Sequence, residues 1–251
     1  MMRKIIIATF ITLLVIVGFS AVYPFDPALE QTSKFERRYH VSFRFPFFSS
    51  YLLFIPPRYD PKTNYPIVVV LHGGHKRSLA AFVAAQDKFQ VQNPAFILMP
   101  MAQFRQLWAV PPGADPALGV TEALPTAIDM AEAVIEEFPI DRDRVYVTGS
   151  SNGAIGTFAA MARHHDLFAA GIAVNGIWPA GQAGSFKRSN LAVYQGTEDK
   201  IFPVQKTRQL IEAIKAAGGR PKYIEMSGTG HDSWPAYRDT NLWEWLFSQS
   251  R

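Results

Sequence analysis

Hydrophobic and polar positions change rhythm along this chain, and the changes mark its elements. Tyr39, Val41, Phe43 and Phe45 alternate with polar partners, the period-two pattern of a strand with one buried face. Residues 51–55 predict a second strand, ended by Pro56 and Pro57. From residue 67 the alternation stops. Residues 67–71, 96–99, 145–147, 170–174 and 191–194 are short apolar runs, as expected for strands covered on both faces. Between them lie stretches with helical spacing. One follows a loop within residues 78–92; another begins at Pro125 and places Ile128, Ala131, Val134 and Ile135 on one side. A small-residue helix starts at Ala154, and residues 204–217 form an amphipathic helix stopped by Gly218-Gly219. A last strand spans residues 222–226, and residues 242–247 lie in a closing helix. Residues 103–119 and 177–190 read as irregular. Antiparallel-type strands followed by alternating strand and helix predict an α/β fold: an open, mostly parallel sheet with helices on both faces. Such sheets bind ligands at the carboxyl ends of their strands.

The N-terminus follows a different rule. Arg3 and Lys4 precede an uncharged, apolar stretch that runs to Phe25. A positive end before an apolar core is the plan of an export signal, and the stretch also approaches the roughly 20 residues that span a bilayer. Phe19-Ser20-Ala21 is a poor cleavage site because Phe19 is bulky, so signal peptide and retained anchor both stand. In either case Arg3 and Lys4 stay in the cytoplasm and the remainder is extracytoplasmic, with membrane attachment through residues 5–25 in the second. The expected organisation is residues 1–25 as signal or anchor, 26–38 as linker and 39–251 as one folded domain.

Composition narrows the chemistry. The 251 residues are 48% hydrophobic and 18% charged, enough for one sizeable core. The net charge of +4 is not gathered into a basic run or helix face, which gives no case for nucleic acid. With no cysteine, thiol catalysis, disulfides and cysteine-ligated zinc are excluded.

The chemistry-bearing stretch follows residues 145–147. Gly149-Ser150-Ser151-Asn152-Gly153 is a G-x-S-x-G pentapeptide at a strand-to-helix crossing, where a serine takes up strained backbone angles and presents its hydroxyl to a cleft. The motif alone fits a plain Gly/Ser-rich turn equally well. A dinucleotide-binding turn of dehydrogenase type is the other rival, but Ile155 stands where it needs glycine. No tyrosine is followed by lysine four residues on, the pair such enzymes use.

A serine becomes nucleophilic when a histidine takes its proton and a carboxylate orients that histidine. Downstream, His164 and His165 sit at the end of the helix that follows the serine, away from the strand ends. His231 lies after the last strand in the glycine-rich Ser227-Gly-Thr-Gly-His231 loop. The carboxylate is expected after residues 191–194, where Glu198 and Asp199 are both available. The frame Gly196-x-x-Asp199-x-x-x-Pro203 centres the turn on Asp199 and leaves Glu198 to solvent. Asp232 points the wrong way along its loop. An oxyanion needs backbone N–H donors. The expected ones are Asn152, after the serine, and Gly74, in the loop after residues 67–71, with His75 as the fallback. His72 reads as structural.

With these residues placed, the chain resembles compact, lidless α/β-hydrolases. They are secreted esterases of the feruloyl-esterase and polyhydroxybutyrate-depolymerase kind, with the related group called predicted peptidases. The resemblance rests on Tyr51-Leu-Leu-Phe-Ile-Pro-Pro57, Pro66-Ile-Val-Val-Val-Leu-His-Gly73, Asp143-Arg-Val-Tyr-Val-Thr-Gly-Ser-Ser-Asn-Gly153, Gly196-Thr-Glu-Asp199 and Gly230-His-Asp-Ser-Trp234, in that order. It implies a carboxylic-ester hydrolase acting through an acyl-enzyme on a small or polymer-linked ester, with neither cofactor nor metal. A serine peptidase of prolyl-oligopeptidase type is the alternative, although no propeller or cap is encoded. A non-catalytic binding protein of this fold would lack a triad member, and none is missing. The short connection between residues 174 and 191 leaves no room for a cap domain and predicts an open cleft. Trp108, Trp178 and Trp234, all in loops after strands, are candidates to line it.

Overall fold

The computed structural model describes residues 34–41, 48–74, 78–103, 106–113 and 121–251. The apolar stretch 5–25 and His75 lie outside them. Among the described residues no helix is long and apolar enough to cross a membrane.

In chain order the strands are β1 (Glu36–Val41), β2 (Phe48–Phe54), β3 (Tyr65–Leu71), β4 (Phe96–Pro100), β5 (Gln106–Leu107), β6 (Thr121–Glu122), β7 (Ile140–Ser150), β8 (Ala170–Val174), β9 (Asn190–Gly196) and β10 (Lys222–Met226). The helices are α1 (Leu79–Ala84), α2 (Asp87–Gln92), α3 (Leu124–Glu137), α4 (Asn152–Arg163), α5 (Val204–Ala216), α6 (Trp234–Arg238) and α7 (Thr240–Phe247). Eight strands form one sheet in the order β1-β2-β4-β3-β7-β8-β9-β10. β2 is antiparallel to β1 and β4, and every pair from β4 to β10 is parallel. Every residue of β3, β4 and β8 is buried, which is why these strands read as unbroken apolar runs.

Helices cover both faces. Ile67, Val69 and Leu71 pack into a core shared with Ala127, Phe158 and Ile211 of α3, α4 and α5. On the opposite face Tyr146 donates to the carbonyl of Gln249 at 2.7 Å, and Thr148 Oγ1 lies 3.0 Å from the Tyr237 hydroxyl in α6. Burial pushes the Tyr146 phenol up to about 12, so it stays a donor at any physiological pH.

Three elements differ from the sequence expectation. β1 begins at Glu36, inside the stretch expected to be linker, and Tyr39 and Val41 do not form the buried face their alternation predicted. At this sheet edge both are exposed, while Arg38 and His40 are half-buried, and Phe43 and Phe45 lie outside the described residues. Arg38 there reaches Glu137 at 2.6 Å and lies over the Phe138 ring. The helix expected through residues 78–92 breaks into α1 and α2. Buried Gln90 satisfies the interrupted backbone, donating to the carbonyls of Ala84 and Ala95 and accepting from Ala95 N–H. Within the irregular stretch a short strand, β5, forms and pairs in parallel with β6, just beyond its end.

His164 closes the C-terminus of α4 through its N–H to Ala160 O at 2.8 Å. Burial holds its imidazole below the usual range, aided by Arg163 and opposed by Asp166 and Glu132. The unfolded chain binds a proton near pH 6.5, and the fold resists that proton. Stability from this group is therefore complete above about pH 6.5 and is lost as pH falls toward the lowered folded value. Melting between pH 7.5 and 5.5 is expected to fall further for the native chain than for His164→Asn. Parallel curves would remove His164 as the cause.

Candidate active site

The elbow at Ser151, where β7 turns into α4, is built by backbone contact. Ser151 has φ 57° and ψ −122°, sterically costly for a side-chain-bearing residue. It is held there because its N–H donates to Val174 O at 3.0 Å, while its carbonyl accepts from Ala154 at 2.9 Å. A Cβ on Gly149 would stand 2.4 Å from Gly153 O, and one on Gly153 would stand 2.0 Å from Leu71 O. These glycines let strand β7, helix α4 and the end of β3 meet at backbone distance.

The turns after β9 and β10 carry Asp199 and His231 and bring them together. His231 Nδ1 lies 2.7 Å from Asp199 Oδ2. The Asp199 side chain is fully buried, whereas His231 keeps 22% of its surface exposed. Every donor the carboxylate needs is present: Ile201 N–H and Phe202 N–H bond Oδ1 at 2.8 and 2.9 Å, and Gln195 Nε2 joins His231 at Oδ2 from 3.1 Å. A buried carboxylate with this complement has one orientation, and it directs the imidazole. The Phe202 ring meets that imidazole edge-on, with centroids 5.5 Å apart. Glu198 is exposed, as its place in the turn implied.

The β3–α1 loop faces the elbow. A Cβ on Gly73 would stand 3.8 Å from Ser151 Cβ, whereas Gly74 borders open space. His72 is a structural side chain. Its Nε2 accepts from Ala102 N–H at 3.1 Å, so Nδ1 carries the proton that it donates to Gly73 O at 2.7 Å.

The tryptophans divide. Trp108 is 1% exposed and donates its indole N–H to His72 O at 2.7 Å, so it props the β3–α1 loop from within the core and does not line a cleft. Trp178 is 5% exposed and stacks on Phe158 of α4, again in the core and not on a cleft wall. Both are drawn inward because the helix surface beneath their loops is apolar, which loop position alone does not reveal. Trp234 is half-buried at the start of α6, under the Arg238 guanidinium at 4.4 Å and three residues after His231.

Two side chains at this edge escaped sequence reasoning. Gln195 joins Asp199 to the Phe202 carbonyl and accepts from Thr207 Oγ1. Asn175, directly after β8, donates to Asp232 O at 2.8 Å and accepts from Gly196 N–H at 2.8 Å. The only signal for either was its place at a strand's carboxyl end. Among the described residues no group of three or more histidine or acidic side chains is arranged to hold a metal ion.

Residues 121–187 match the prolyl oligopeptidase family. Over 100 residues the chain is 36% identical to acetylxylan esterase A of Emericella nidulans, covering 38% of this chain and 32% of that protein. A thermostable esterase of solved structure superposes with a TM-score of 0.79 at 29% identity, over 87% of this chain and 64% of the other. The feruloyl esterase module from Clostridium thermocellum, solved with sinapinate, gives a TM-score of 0.65 at 14% identity, over 90% and 94% of the two chains. The chain thus spans about a third of the curated relative it matches. Its fold is the α/β-hydrolase fold. The connection from β8 to β9 contains only the 3₁₀ turn Ala180–Phe186 and no cap domain.

Proposed function

We propose that this protein is a serine hydrolase that cleaves carboxylic esters through an acyl-enzyme. The observation that carries the reading is the 2.7 Å contact of His231 with buried Asp199, at the sheet edge where strained Ser151 is presented. In this mechanism Ser151 Oγ attacks the ester carbonyl while His231 Nε2 takes its proton. Asp199 accepts the Nδ1–H and stabilises the imidazolium. Backbone N–H groups of Asn152 and Gly74 receive the developing oxyanion. The imidazolium then protonates the departing alcohol, and water repeats the sequence to release the acid. No step requires a cofactor.

Trp234 is the tryptophan we assign to the substrate-facing rim, since it is partly exposed beside the histidine loop. The similarity to an acetylxylan esterase and a feruloyl esterase module supports an ester carried on a small molecule or polymer. The N-terminal pattern supports an extracytoplasmic site of action, secreted or anchored. The second reading, a serine peptidase, is favoured by the match of residues 121–187 to the prolyl oligopeptidase family.

The test is a panel of acetyl, butyryl and feruloyl esters with peptide anilides on the full chain, together with fluorophosphonate labelling. Ester turnover and a single adduct on Ser151 are expected. An adduct on Ser150, or turnover of the anilides alone, would overturn the esterase reading.

A further inference from the structure

The loops that carry Asp199 and His231 are separate excursions from β9 and β10, and one side chain outside both ties them together. Asn175 is 1% exposed and has φ 50°. Its backbone N–H donates to Tyr194 O at 2.8 Å, which fixes it to β9. Its Oδ1 accepts from Gly196 N–H, the residue whose carbonyl receives the N–H of Asp199 at 3.4 Å. Its Nδ2 donates to the carbonyl of Asp232, the neighbour of His231. The residue before it, Val174, receives the N–H of Ser151. One buried amide therefore stands one residue from the serine's anchor, on the acid turn and on the histidine loop at once.

The chemistry of that position is restrictive. A positive φ is tolerated by glycine and by a few polar residues, asparagine and aspartate among them. An amide accepts at its oxygen and donates at its nitrogen, so its two arms serve partners on two different loops. Asparagine joins that capacity to tolerance of positive φ in a short side chain. The loops also meet directly, since Glu198 N–H bonds Thr229 O at 2.9 Å and a Cβ on Gly196 would stand 2.3 Å from Gly230 O. Those contacts set the distance between the loops. They stop at residue 230, and beyond it the amide of Asn175 ties the backbone at Asp232, next to the His231 side chain that Asp199 holds.

We infer that Asn175 is a positioning residue for proton transfer: its amide holds the His231 loop in register with Asp199 and Ser151. This rests on the hydrolase reading above. Asn175→Gly keeps the backbone conformation and removes both ties. Asn175→Asp keeps the tie to Gly196 and sets a carboxylate oxygen against the Asp232 carbonyl.

A displaced histidine matters most where the leaving group needs its proton. p-Nitrophenolate departs without one, whereas an alkoxide does not. Both variants are therefore expected to lose kcat/KM on ethyl acetate about tenfold more than on p-nitrophenyl acetate, with KM for the aryl ester within about twofold of the native value. A loss of folded protein alone scales both esters equally and leaves the ratio unchanged. Equal losses, or native activity in Asn175→Gly, would overturn the positioning role while the hydrolase reading stands. Inactivity of the unaltered chain on both esters would sink both.

Discussion

Ser151→Ala is expected to lower kcat for p-nitrophenyl acetate by roughly 10⁴- to 10⁶-fold, the range measured when a serine nucleophile is removed elsewhere. The residual rate would come from binding and from the oxyanion donors, which the substitution leaves in place. The fold is expected to survive. The Ser151 side chain makes no capping hydrogen bond to α4, so deleting the hydroxyl removes no helix cap. Alanine carries the same Cβ, and so meets the same backbone strain at φ 57°. A melting temperature within about 2 °C of native, corresponding to less than about 1 kcal/mol in a domain of this size, is the expected companion result. Turnover of the ester at more than about one-hundredth of the native rate would show that another group attacks, and the assignment would fall.

The second large effect is on stability. Gly153→Ala would put a methyl group 2.0 Å from Leu71 O, 2.8 Å from Leu71 C and 3.1 Å from His72 O. Every one of those atoms is backbone, so no flexible side chain can swing away. Either α4 lifts from the sheet or the end of β3 moves, and β3 leads directly into the loop that bears Gly74. Overpacking of this kind costs about 3 kcal/mol, or a melting temperature lower by roughly 6–12 °C. Activity should fall further than the loss of folded protein explains, because the loop to which we assign the oxyanion hole would separate from Ser151. Thermal unfolding combined with titration of reactive serines by fluorophosphonate measures both effects. Native stability in Gly153→Ala would mean that β3 and α4 do not meet at backbone distance.

The visibility of this site in the sequence follows from how each residue acts. Gly149 and Gly153 are legible because glycine is the only residue that fits a backbone-to-backbone contact, and the contact recurs wherever a strand turns sharply into a helix. Asp199 and His231 are legible because a turn after a strand must carry them to the sheet's carboxyl edge. Trp108 and Trp178 misled for the converse reason. An aromatic side chain after a strand can turn outward or inward, and the local pattern is the same in both cases. Here Trp108 turns inward onto the apolar core, where the His72 carbonyl also receives its indole N–H. Asn175 and Gln195 gave no usable signal, since polar residues at strand ends are common and their partners come from other loops.

By itself, the chain's pattern of apolar runs, glycines and polar turns determined a mostly parallel sheet with helices on both faces and the order of its chemical groups. Those properties are local: a strand buried on both faces must be apolar throughout, and a tight crossing must use glycine. The tertiary structure alone decided how far each group stands from its partners. It brought Asp199 and His231 to 2.7 Å across 32 residues of chain, gave that pair its hydrogen-bond donors, and set Asn175 between their loops. Such contacts depend on register between strands β8, β9 and β10, which arises from the packing of the whole sheet and is written in no single segment.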